Sequence, residues 1–166
     1  MRMSIIIAVL CFLAVPGFAN DSTLIQFEIE DQHKKDHTDQ EFRDKVSIFI
    51  AGDKIGSDFI EPWYNELVDS LTKQVKEGRL IIQKMANVKG VPFFVKGAVR
   101  KRYKEDNDIV LMDWKGKFLK AYEMQEDVAN ILIFSSDGNL EFQIGVTEIN
   151  NDDTGKICEI IRKLIK

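Results

Sequence analysis

The chain has 166 residues, 45% of them hydrophobic and 30% charged, with 23 basic against 27 acidic side chains and a net charge of −4. That is the size and apolar content of one ordinary soluble domain, and the acidic balance opposes the coating of nucleic acid or of an anionic membrane, which draws on a basic excess. Two cysteines, Cys11 and Cys158, supply neither a four-thiolate zinc site nor a multi-disulfide scaffold.

Arg2, the apolar run Ile5–Val15 and the small residues Gly17 and Ala19 have the layout of a secretory signal peptide cut after Ala19. The run falls short of the roughly 20 residues that a membrane span needs. Val9 and Leu10 are not the small residues that precede a lipid-anchored cysteine, which opposes that role for Cys11. Residues 1–19 are therefore expected to be removed, leaving 20–166 as a single periplasmic or secreted domain without a membrane anchor. Cys158 is then its sole thiol, so no internal disulfide can form.

Leu24–Ile29 alternates apolar and polar residues and predicts a strand, and the polar stretch 30–44 predicts a loop. Val46–Ala51, closed by Gly52, reads as a buried central strand. Phe59, Ile60, Trp63, Leu67, Val68, Leu71 and Val75 recur at helical spacing, which predicts a helix from Ser57 to Lys76 with a kink or late start at Pro62. Arg79–Met85 predicts a strand, Val91-Pro92 a break, Phe93–Lys104 a helix and Asp108–Met112 a strand. A short helix over 117–122 follows, then strands over 129–134 and 140–145 joined at Asp137-Gly138, a strong hairpin signal. Ile157, Ile160, Ile161, Leu164 and Ile165 form the apolar face of a closing helix, capped by Asn151, Asp152 or Asp153. This order implies an α/β fold with a central mixed sheet flanked by helices on both faces.

Particular residues carry a family resemblance. Phe49-Ile50-Ala51-Gly52-Asp53-Lys54-Ile55-Gly56-Ser57, continuing to Pro62-Trp63, resembles the thioredoxin-like and redoxin frame of strand, Cys-x-x-Cys and helix with a proline five residues after the second cysteine. Val110–Gly116 through Ala121-Tyr122 resembles the family's stretch before its Val-Pro dipeptide, Asp127–Phe134 with the turn Ser136–Asn139 the strand and turn that follow, and Phe27–Gln32 the opening strand; Ile50-Ala51-Gly52, Val91-Pro92-Phe93 and Asp113–Ala129 carry the closer likeness. Within that superfamily the chain looks most like YtfJ-type periplasmic proteins, which also lack the paired cysteines. The resemblance implies that Lys54 and Ser57 stand at the two cysteine places and Ala129 at the cis-proline place, where a trans peptide is expected because non-proline cis bonds cost about 2.5–4 kcal/mol.

Thiol–disulfide exchange needs an attacking thiolate and a second thiol that resolves the mixed disulfide. Lysine and serine supply neither. The expected function is a non-catalytic binding or accessory module without a cofactor, acting on another exported protein or peptide through Gly52, Asp53, Gly56, Pro92, Phe93 and Val128, with Trp63 if exposed. The alternative is a thiol oxidoreductase or peroxidase-related enzyme acting through Cys158 or a partner's thiol, although Ile157 and Ile161 predict that Cys158 is buried. Three further patterns read as solvated charge: His33 and His37, weak metal ligands in the predicted loop; Lys96, Arg100 and Lys104 on one helix face; and Gly52–Gly56, a weak phosphate-cradling loop.

Overall fold

A continuous run of apolar residues such as Val46–Gly52 is stable only when both of its faces are covered. In the computed structural model, which describes residues 22–105 and 108–165, this run is the central strand. In chain order the elements are β1 (Glu28–Glu30), β2 (Asp36–Thr38), β3 (Val46–Gly52), α1 (Ser57–Ser70), α2 (Thr72–Lys76), β4 (Leu80–Asn87), α3 (Lys96–Tyr103), β5 (Val110–Asp113), α4 (Lys117–Ala121), β6 (Ala129–Phe134), β7 (Leu140–Val146) and α5 (Asn151–Leu164). The main sheet has the order β5-β4-β3-β6-β7. β3, β4 and β5 are parallel, whereas β6 and β7 run antiparallel to their neighbours. The expected signal segment and Cys11 lie outside the described residues.

Alternate residues of β3 feed two cores. Ile48 and Ile50, with Ile131 and Ile133 of β6, pack against Trp63 and Leu67 of α1 and Ile157 and Ile161 of α5. Phe49 and Ala51 face the other way into an aromatic cluster of Phe27, Phe42, Phe118, Tyr122 and Phe134, with neighbouring ring centroids 4.7–6.3 Å apart. Helices therefore cover both faces, as the strand and helix order implied.

Several local expectations are corrected. Leu24–Phe27 runs beside the sheet without forming a strand: Leu24 N–H donates to the Gly138 carbonyl at 2.7 Å, but the Ile25 and Phe27 N–H groups go to side chains, the Tyr122 hydroxyl at 2.9 Å and Asp39 Oδ1 at 3.3 Å, which interrupts any ladder. The polar stretch 30–44 is not a loop. It holds the β1–β2 hairpin and a 3₁₀ turn, Asp39–Phe42, with Asp31, Gln32, His37 and Asp39 buried and hydrogen-bonded. Gln32 serves as an edge partner for β5, donating to Asp108 C=O at 2.8 Å and accepting from Val110 N–H at 2.9 Å.

The predicted long helix divides at Leu71 (φ −120°, ψ 22°), where the Thr72 hydroxyl donates to the carbonyls of Val68 and Asp69. Pro62 lies within α1. Asn150, one residue before the expected cap, caps α5 by accepting from Asp153 N–H at 2.9 Å.

Arg100 is also not solvated, because it turns inward to the Glu30 carboxylate and the Asp31 carbonyl and lies over the Trp114 ring.

Candidate functional site

The chain turns back sharply where β3 ends. A Cβ on Gly52 would lie 2.6 Å from the Gly56 carbonyl carbon, and one on Gly56 would lie 2.1 Å from the Val128 carbonyl oxygen. The two glycines therefore let the start of α1 close on β3 and on the segment entering β6. Asp53 completes the turn: Oδ1 accepts from the Ile55 and Gly56 N–H groups at 3.1 and 2.8 Å, and Oδ2 from Asp127 N–H at 3.1 Å. Its carbonyl accepts from Ser57 N–H at 2.8 Å. The donors that would cradle a phosphate at this helix start are taken by the chain's own carboxylate, which corrects the phosphate-loop pattern.

Lys54 is exposed, and the Ser57 hydroxyl donates to the Lys54 carbonyl at 2.9 Å, so the two residues are neighbours across the first turn. Ala129 is fully buried at the start of β6, paired with Val146 of β7, and the described residues contain no cis peptide bond.

Beside this turn lies an open cavity of about 870 Å³ whose walls include Asp53, Lys54, Ile55, Pro92, Val99 and Tyr103. Of the expected binding residues, Asp53, Lys54, Ser57 and Pro92 line this cavity, whereas Gly52 and Gly56 are buried in the turn behind it and Val128 packs against Gly56 outside the lining. Phe93 is not part of the cavity wall; it projects into solvent. Trp63 is removed from that surface altogether: it is fully buried, and its indole N–H donates to Thr147 C=O at 2.8 Å. Arg102 reaches Asp58 at 3.2 Å, tying α3 to α1 above the cavity.

Lys84, which sequence reasoning missed, lies under the site. It is only 2% exposed, with Nζ 2.7 Å from Glu61 Oε2, 3.5 Å from Asp108 Oδ2 and 4.8 Å from the centre of the Tyr64 ring. A smaller cavity joins it to Ser57. Burial and the Asp108 and Glu61 carboxylates push the Tyr64 phenol up to about 12. A lysine in a strand usually signals a solvent-facing position, and the half-exposed carboxylates that make its burial tolerable come from other elements.

Cys158 is 4% exposed within the core under α1 and α5, and burial pushes its thiol up. It belongs to α5 and lines neither of the two cavities beside the helix start. The thiol and the helix start therefore do not share a cavity.

His33 and His37 are not brought together. His33 is exposed, whereas His37 is buried with Nε2 3.0 Å from Asp31 Oδ2 and Nδ1 2.9 Å from Glu41 Oε2. Both ring nitrogens are occupied by carboxylates, so the solvated-loop expectation is corrected for His37. Burial raises the Asp31 carboxyl, but bonds from His37 and from the His33 and Lys35 N–H groups outweigh it and hold the group below its ordinary range. Glu41 is likewise raised by burial and lowered further by His37 and the Thr38 N–H. Carboxyls depressed in the folded state stabilise it above their unfolded values and lose that contribution as pH falls through the folded ones. Acid titration is therefore expected to destabilise the protein progressively below about pH 4, and His37→Gln should weaken this dependence in urea unfolding midpoints measured across pH.

No protein-family model matches the chain, and no curated protein matches it. Solved structures do. The exposed lipoprotein thioredoxin of Streptococcus pneumoniae superposes with a TM-score of 0.62 at 14% identity, over 84% of this chain and 100% of that one. A thiol:disulfide interchange protein of the thioredoxin family from Chlorobium tepidum gives 0.62 at 10% identity over 89% and 99%. A secreted disulfide oxidoreductase of Mycobacterium tuberculosis gives 0.57 at 10% identity over 81% and 96%. At these identities the likeness establishes the thioredoxin fold. Among the described residues, no helix is long and apolar enough to cross a membrane.

Proposed function

We propose that this is an exported thioredoxin-fold protein of the YtfJ-like kind that has given up thiol chemistry and acts as a binding or accessory module, through the cavity at the start of α1, on another exported protein or peptide. The observation that carries the reading is the pair formed by Lys54 in the turn before α1 and Ser57 at its first residue, with Asp53 already filling the donors of that turn that would otherwise stabilise a thiolate. The position of Cys158 supports it as well. A buried thiol with a raised pKa, outside the cavity at that turn, meets neither requirement of an exchange catalyst. The export leader read from residues 1–19 and the exported or secreted neighbours in the same fold support the compartment.

The purified protein is expected to show no insulin reduction and no peroxide consumption above buffer. The double substitution Lys54→Cys/Ser57→Cys should introduce dithiothreitol-dependent insulin reduction, because it restores the Cys-x-x-Cys spacing at the start of α1, where the Ser57 hydroxyl already reaches the Lys54 carbonyl. Activity in the natural protein that disappears in Cys158→Ser would reverse the assignment in favour of the enzyme.

A further inference from the structure

The strongest departure from a solvated surface lies on the segment 88–104 at the rim of the cavity: Phe93, Phe94, Gly97 and Lys101 are outside its wall, whereas Lys89, Ala98 and Arg102 also line it. Phe93 and Phe94 are 86% and 85% exposed, whereas Ile55 at 53% is the next most exposed large apolar side chain among the described residues. Isolated apolar side chains on a surface are ordinary; two adjacent, almost fully exposed phenylalanines are not. They sit in a 3₁₀ turn that runs directly into α3. Phe93, Phe94, Gly97, Ala98, Lys101 and Arg102 are all exposed and recur at spacings of three to five residues, which places them on one face. Gly97 and Ala98 add no bulk behind the rings, so the turn and helix present a flat strip with two aromatic tips at one end.

The charge of this strip is opposite to that of the molecule. Residues 88–104 hold six cations, Lys89, Lys96, Arg100, Lys101, Arg102 and Lys104, and no Asp or Glu, in a chain of net charge −4. Arg100 is turned inward to Glu30, Lys96 lies over the Trp114 ring and Arg102 pairs with Asp58. Lys89, Lys101 and Lys104 remain exposed around the strip. A charge acts at a surface over roughly one Debye length, about 8–10 Å. The local basic strip, not the overall acidic balance, therefore sets what this face meets.

We propose that Phe93 and Phe94, with the lysines around them, form a peripheral docking surface for an anionic lipid bilayer. Paired aromatic tips enter the headgroup and acyl boundary without needing a shaped receptor pocket, and cations beside them lie at the level of the lipid phosphates. The docking is reversible and involves no spanning helix. It holds the protein at a membrane with the cavity beside α3 close to the lipid surface.

The test is flotation of the purified protein with vesicles of phosphatidylglycerol and phosphatidylcholine in equal parts, beside vesicles of phosphatidylcholine alone. Binding to the anionic vesicles is expected to exceed that to the neutral ones and to weaken as salt is raised. Phe93→Ser/Phe94→Ser should lower partitioning about tenfold or more, and Lys101→Glu about fivefold or more for the lost attraction. The side chains involved are solvent-facing, so unchanged thermal unfolding certifies the variants as folded. No binding to anionic vesicles overturns the proposal. So does equal binding to neutral vesicles, or binding that the double phenylalanine variant retains. The last outcome would assign the lipid affinity to another surface of residues 20–166, the chain used in the flotation.

Discussion

Gly56→Ala is expected to destabilise the protein by about 3 kcal/mol, the upper part of the range for overpacking a filled site. The added methyl would lie 2.1 Å from the Val128 oxygen, 2.7 Å from its carbonyl carbon and 3.1 Å from its nitrogen. All three are backbone atoms, so no side-chain rotation relieves the contact, and the segment entering β6 must move as a unit. Gly56 has ordinary helical dihedrals, φ −58° and ψ −24°, so the penalty is one of space and not of backbone strain. The displacement should also break the 3.1 Å bond from Asp127 N–H to Asp53 that ties the two sides of the site together. Urea unfolding measures the loss, with Gly155→Ala as control: nothing lies within 4 Å of a Cβ there, and alanine inside α5 should raise stability by up to about 1 kcal/mol. If both variants unfold at the natural midpoint, the close approach of the helix start to Val128 is wrong.

The same contact shows what sequence could and could not reveal. Two glycines four residues apart resemble an anion cradle, yet here each is required by a backbone neighbour, one of them from a segment some seventy residues away. Periodicity located β3, α1, β4 and the β6–β7 hairpin because each buries a regular face, and the isoleucines flanking Cys158 correctly foretold its burial. It failed where the interior is polar. Asp31, Gln32, His37 and Asp39 read as solvated loop because their type signals water; yet Asp31, His37 and Asp39 bond chiefly to one another's neighbours within the folded segment, and Gln32 reaches across to Asp108 and Val110. Lys84 and Arg100 were misleading or missed for the same reason: the carboxylates that receive them come from other elements. Most of the cavity's lining at the helix start and the Val91-Pro92 turn was legible through the family frame, whereas the isolation of Phe93 on the outer side was not, since exposure depends on which side of one turn a residue leaves.

Trp63→Ala is expected to cost about 3–5 kcal/mol, a large share of the 5–15 kcal/mol that typically holds a domain together. Trp63 is fully buried where α1 meets the sheet and α5, so truncation leaves a hole walled by Ile50, Leu67, Ile131 and Ile157 rather than by mobile surface groups. Trp63→Phe should cost less, about 1–2 kcal/mol, because it retains an aromatic ring and the partner of the lost indole N–H, the Thr147 carbonyl, belongs to an exposed residue that water can serve. The effect reaches the candidate site because this one side chain anchors the middle of the helix that begins at Ser57, directly after the turn that holds Lys54. Cys158 reports on the same core. In the natural protein a thiol reagent should react with it slowly, at a rate set by opening of the α1–α5 face, and Trp63→Ala should accelerate that reaction in step with the loss of stability. Rapid modification of Cys158 in the natural protein would mean that the thiol is accessible without opening, and would restore it as a candidate nucleophile.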